Sequence, residues 1–268
     1  MPKTILNGIN VYYEVHGKGE PLVLIQGFGG GHQGWSFQIP AFKKHFLVVT
    51  FDNRGIGKTD RSKEPYTIKT MAGDVIGLMD YLGIDKAHIL GLSLGGMVAQ
   101  EIAITYPHRV RKLVLGSTFA ERKMSGASPG SQRALGVREG LSGTDIQNIH
   151  FDNLMTFMIS SAFNRALYRM FLTLLLKIQR RSIDVNGYSE QMDAVRGYST
   201  ADRLHLIQAP TLIITGTGDR LVSPHYSDLI ARRIPNAKLV KVDGGSHAFF
   251  IEMRGRFNEE VPAFLTGG

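Results

Sequence analysis

Ser93 lies between two glycines in Gly91-Leu92-Ser93-Leu94-Gly95, where an apolar run over residues 87–92 meets a stretch of helical periodicity over residues 94–106. A serine at such a junction is forced outward on a strained backbone. Its neighbours approach so closely that glycine is needed two residues before it and two after. A helix beginning at Leu94 would also aim unpaired N–H groups, and the positive end of its dipole, at the space beside Ser93 Oγ where an oxyanion would form. A serine hydroxyl is a weak nucleophile at neutral pH and needs an adjacent base, itself oriented by a third group. The pentapeptide is short, and 31 glycines make chance matches easy. Its meaning therefore rests on partners elsewhere in the chain.

Those partners come late. An apolar run from Thr211 is followed by Gly216-Thr217-Gly218-Asp219, and another over residues 238–242 by Asp243-Gly244-Gly245-Ser246-His247. Singly, these aspartates read as turn formers and His247 as an ordinary loop histidine. Taken with Ser93, in the order serine, acid, histidine and each on the loop after a strand, they fit nucleophilic catalysis at the carboxyl edge of an open α/β sheet.

The elements that must hold these residues are legible in the hydrophobic pattern. Residues 4–6 and 10–16 alternate in polarity around Asn7-Gly8, a strong hairpin signal. Leu22-Val23-Leu24-Ile25 and Phe46-Leu47-Val48-Val49-Thr50-Phe51 are continuous apolar runs, as expected of strands buried on both faces. Residues 67–82 carry apolar side chains at helical spacing and stop at Gly83. Further strands are expected over 87–92, 110–115, 211–214 and 238–242, with helices over 94–106, 224–234 and 254–265. Strands alternating with helices imply a mostly parallel sheet.

The alternation lapses near Ser117 and resumes at Thr211. We read residues 1–118 and 206–268 as an α/β core domain, and residues 119–205 as a helical cap inserted into it. Within the insertion, residues 125–131 and 136–144 are Gly/Ser-rich loops, 151–159 and 162–178 look helical, and 182–199 are of mixed polarity.

Composition narrows the chemistry. With no cysteine among 268 residues, disulfides, thiolate nucleophiles and cysteine-ligated metal sites are excluded. The net charge of +8 is spread along the chain rather than clustered with aromatics, so no nucleic-acid partner is expected. The apolar stretch over 170–178 is too short to span a bilayer, so no membrane partner is expected. The first residues carry no apolar signal core, and a cytoplasmic location is expected.

Several segments together resemble the α/β-hydrolase fold superfamily over essentially the whole chain. They are Gly27-Phe28-Gly29, Asp52-Asn53-Arg54-Gly55-Ile56-Gly57, the serine turn, Gly218-Asp219 and Gly245-Ser246-His247. The resemblance implies a nucleophile at Ser93, its acid at Asp219 and its general base at His247. It implies oxyanion donors at the backbone N–H groups of Phe28 and Leu94. No cofactor and no metal are implied. Gln26 departs from the pattern, standing where many relatives have a histidine that supports this loop. Asp52 and Arg54 are expected to support their turn, and His32 to line the pocket or face solvent.

Ser93 also removes the relatives that use an aspartate at this turn, the haloalkane dehalogenases and epoxide hydrolases. The expected activity is hydrolysis of small to medium, largely apolar carboxylic esters through an acyl-enzyme. Lactone opening of the 3-oxoadipate enol-lactonase type is the nearest alternative, since Gly-Leu-Ser-Leu-Gly-Gly-Met is similar to that turn in enol-lactonases. A carbon-carbon bond hydrolase, a cofactor-free haloperoxidase or perhydrolase, and a hydrolase-fold ligand receptor share the same residues. Ala248-Phe249-Phe250 after the histidine disfavours the carbon-carbon hydrolases, which often have tryptophan there. Pocket-lining side chains are expected from the insertion, among Phe151, Leu154, Met155, Phe157, Met158, Phe163, Tyr168, Met170 and Phe171.

Overall fold

Asn7 and Gly8 both take positive φ and close the expected hairpin, joining β1 (Lys3–Leu6) to β2 (Ile9–His16). The structure is a computed structural model and describes residues 2–121 and 185–267. Six further strands follow: β3 (Glu20–Ile25), β4 (Phe46–Phe51), β5 (Ala87–Leu92), β6 (Val110–Gly116), β7 (Thr211–Gly216) and β8 (Ala237–Val242). They form one eight-stranded sheet in the order β1-β2-β4-β3-β5-β6-β7-β8. The first two strands run antiparallel and the rest are parallel.

The continuous apolar runs are split between the two faces by the two-residue period of a strand. Val23 and Ile25 of β3 pack into one cluster with α1 (Ile68–Tyr81) and α2 (Leu94–Thr105), while Leu22 and Leu24 pack into the other with Trp35, Phe42 and Phe257. Leu113 and Leu115 of β6 share the first cluster and Val114 the second. A sheet covered on both faces needs such unbroken apolar strands.

Helix boundaries follow the expected chemistry. Thr67 caps α1 by accepting from the Thr70 N–H, with the Thr70 side chain returning the bond, and Gly83 just beyond the helix has φ 67°. Arg54 forks onto Asp74 of α1 at 2.7 and 2.6 Å, both side chains buried, and Asn7 donates to the same carboxylate. This pair ties the turn after β4 to α1 and to the hairpin.

Three more helices of ten residues or longer are described, α3 (Val185–Arg196), α4 (Pro224–Arg233) and α5 (Arg254–Thr266), beside one-turn helices at Ile39–Phe42 and Phe249–Glu252. Helix α3 lies in the stretch whose mixed polarity gave no clear pattern. It rests on the core at several points. Gly187 is packed against Gly55 so tightly that a Cβ there would lie 2.3 Å from the Gly55 carbonyl, and Arg61 pairs with Glu190 at 3.1 Å. The Tyr198 hydroxyl, just past the helix, donates to the Met97 carbonyl of α2. The pocket-lining residues expected between positions 151 and 171, aromatic and aliphatic alike, lie outside the described residues.

Candidate active site

Ser93 links β5 to α2 with φ 53° and ψ −117°, a conformation costly for any residue with a side chain. Bonds on several sides hold it there. Its N–H donates to Gly116 O on β6, and its carbonyl accepts from the Thr118 hydroxyl and from the Gly96 N–H. The flanking glycines are required by contact: a Cβ on Gly91 would lie 2.1 Å from Gly95 O, and one on Gly95 would lie 2.1 Å from Ile25 O. Leu94 is the first helical residue, so its N–H has no carbonyl one turn back to bond.

The loop after β3 lies against this turn. A Cβ on Gly27 would sit 3.3 Å from Ser93 Cβ. Gln26 does the local work expected of a histidine by a different route: its side-chain Oε1 accepts from the Gly27 N–H at 2.8 Å, and its amide fills space left open by Gly30 and Gly34. Asn53 donates to the Gln26 carbonyl, and Gln191 of α3 accepts from the Gly29 N–H. Phe28, Ser93 and Leu94 line one cavity of about 30 Å³ with Met97, Phe119, Met192, Val195, Leu221 and Val222. All of these but Ser93 are apolar. Met192 and Val195 belong to α3, and Leu221 and Val222 follow Asp219 in a loop without hydrophobic periodicity, so sequence patterns had no signal for them.

The loops after β7 and β8 are stitched together. Gly218 N–H donates to Gly245 O, Thr217 N–H to Val242 O, and Gly244 N–H to the Thr217 hydroxyl. Gly216 permits the approach, since a Cβ there would meet Gly245 O at 2.1 Å. The seam brings Asp219 and His247 together, with His247 Nδ1 2.8 Å from Asp219 Oδ2 and both side chains buried. Asp219 Oδ1 accepts from the N–H groups of Leu221 and Val222. With Nδ1 donating to a carboxylate, the proton sits on Nδ1 and Nε2 offers its lone pair. Asp243, the other aspartate of these loops, is exposed and takes a bond from Thr217.

His32 neither lines that cavity nor faces solvent. It is buried, with Nδ1 2.7 Å from Asp52 Oδ1 and Nε2 3.4 Å from Glu14. Asp52 also accepts from the backbone N–H groups of His32 and Lys58, so it supports its turn as expected. Burial, then the Glu14 carboxylate that its hydroxyl meets, push the Tyr12 phenol up to about 12. Among the described residues no cluster of three or more His, Asp or Glu could hold a metal ion, and no helix is long and apolar enough to cross a membrane.

A serine on a strained strand-to-helix turn, with a buried carboxylate–histidine pair on the loops after two later strands, defines a class of fold as well as a site. Residues 20–253 match the family model of the alpha/beta hydrolase fold, and the chain belongs to that family. Over 98% of both chains it is 29% identical to a protein of Azorhizobium caulinodans named as a carbamate hydrolase, RutD. It is 31% identical to a poly(3-hydroxyalkanoate) depolymerase of Ectopseudomonas oleovorans, over 86% of this chain and 79% of that one. Among solved structures, the enol-lactonase from Burkholderia xenovorans LB400 superposes with a TM-score of 0.84 at 28% identity, covering 99% of this chain and 100% of that one. These likenesses place the chain among hydrolases.

Proposed function

We propose that this chain is a serine hydrolase of small, largely apolar carboxylic esters. The observation that carries the reading is the buried Asp219–His247 hydrogen bond, held by the same sheet edge that presents Ser93. His247 Nε2 takes the Ser93 proton as Oγ bonds to the carbonyl carbon, and the carbonyl electron pair moves onto oxygen. The N–H groups of Phe28 and Leu94 receive that oxyanion, and Asp219 stabilises the imidazolium. Collapse expels the alcohol, which takes the proton from His247. Water, deprotonated by His247, then attacks the acyl-enzyme and releases the acid with Ser93 restored.

The apolar cavity beside Ser93 supports an apolar group on the substrate. Residues 119–205 act as a cap over the site in this reading. A second reading, lactone opening, is supported by the full-length likeness to an enol-lactonase; it uses the same steps, with the leaving alcohol tethered to the acyl group.

The test is turnover of p-nitrophenyl butyrate beside a lactone and a carbamate panel, with a fluorophosphonate probe followed by intact mass. Steady turnover and one probe per chain, both abolished in Ser93→Ala, are expected. Equal labelling of Ser93→Ala and wild type would overturn the nucleophile assignment, and a single slow stoichiometric cleavage would indicate a receptor.

A further inference from the structure

Gln191 sits on α3, 162 residues from the loop after β3, yet its Oε1 accepts from the Gly29 N–H at 3.0 Å. The side chain is fully buried, and among the described residues its Nε2 has no hydrogen-bond partner. An unpaired buried amide is destabilising, and an apolar residue of similar shape would avoid that cost. The carbonyl end is therefore what a glutamine contributes here. Gly29 has φ 65°, so the loop turns sharply at the residue after Phe28. Fixing the Gly29 N–H fixes the peptide plane that follows Phe28. The next residue on α3, Met192, lines the cavity with Phe28 and Ser93, so helix and loop meet at the site itself.

We propose that Gln191 is a positioning residue: it holds the loop after β3 so that the Phe28 N–H points at the oxyanion formed on attack by Ser93. The inference rests on the serine-hydrolase reading above. Gln191 touches no reacting atom in this scheme and acts only through the loop. A positioning role of this kind is felt in the transition state, where charge reaches the oxygen, more than in the bound substrate.

The test uses Gln191→Met, nearly the same shape without the acceptor. Steady-state kinetics on p-nitrophenyl butyrate would be read with affinity for an alkyl trifluoromethyl ketone, which forms a tetrahedral oxyanion adduct on serine. Expected is a fall in kcat of about tenfold to a hundredfold, smaller than the loss of a whole donor, with a parallel loss of ketone affinity and KM within about twofold. If Gln191→Met does not fold, Gln191→Leu, which also lacks the acceptor on the Gly29 N–H, is read in the same way. A kcat and ketone affinity within twofold of wild type in Gln191→Met, or in Gln191→Leu where Met does not fold, would overturn the proposal. If Ser93→Ala keeps full turnover, the serine reading falls and this inference with it. If Ser93→Ala is inactive while Gln191→Met behaves as wild type, only the inference falls.

Discussion

His247 Nδ1 reaches Asp219 Oδ2 across 28 residues of chain at 2.8 Å, while the other oxygen of the same carboxylate takes two backbone N–H bonds from Leu221 and Val222. One oxygen orients the histidine and the other shapes the loop. The two roles can be separated by substitution.

Asp219→Asn keeps an acceptor for Leu221 and Val222 but turns an amide N–H toward His247 Nδ1. The imidazole is then driven to the tautomer with its proton on Nε2, and kcat should fall about 10³–10⁴-fold with little change in Tm. Asp219→Ala loses both roles and leaves two buried N–H groups unpaired, at about 1–3 kcal/mol each. Ester kinetics and thermal melts on both variants check this; an Asn variant near wild-type kcat would place the acid elsewhere.

Gly95→Ala should be among the most damaging single-methyl additions in the chain. Its Cβ would lie 2.1 Å from backbone Ile25 O, and backbone cannot swing aside as a side-chain end can. Strand β3 and helix α2 would have to part, at a cost of about 3 kcal/mol or more. Gly197→Ala meets nothing within 4 Å and should stay within about 0.5 kcal/mol of wild type. Urea unfolding midpoints compare the two directly.

Burial pushes the His88 imidazole below its ordinary 6.5, against the opposing pull of Glu20 at 3.0 Å. The folded state then binds fewer protons here than the unfolded chain. The resulting stability is present above pH 6.5 and is lost as pH falls below it toward the lowered value. Glu20, held below 4.5 chiefly by its bond with His88, loses its contribution only at lower pH. His88→Phe should flatten the slope of unfolding free energy as pH falls below 6.5. An unchanged slope would assign it to another group.

The cavity beside Ser93, about 30 Å³ as lined by the described residues, has room for a group of one or two carbons. Short acyl esters should be preferred over octanoate. Met192→Ala enlarges the cavity from the α3 side, and the octanoate-to-acetate ratio of kcat/KM should rise about tenfold or more. A chain-length series on p-nitrophenyl esters reads this, and an unmoved ratio would put the acyl chain elsewhere.

The sheet was readable because its strands advertise themselves twice, through unbroken apolar runs and through glycine-rich carboxyl ends. Ser93, Asp219 and His247 share that legibility, each lying within a few residues of a strand end. Gln191, Met192 and Val195 were not readable. Helix α3 has a polar mean composition, and its contacts run to Gly29, Gly55 and Met97, far away in sequence. His32 was misjudged for a similar reason. A glycine-rich neighbourhood suggests exposure, and only folding shows that Asp52 and Glu14 converge on both ring nitrogens.

Glu121 and Ser199 form an antiparallel bridge, and the Thr200 N–H donates to Ala120 O at 2.8 Å. The chain thus leaves the sheet and returns to it through one doorway. The two ends of the intervening stretch are held side by side, so it enters and leaves the core at one point. Any replacement must refill what the described part supplies: a carbonyl oxygen for the Gly29 N–H, a side-chain-free position against Gly55, and a hydroxyl for the Met97 carbonyl.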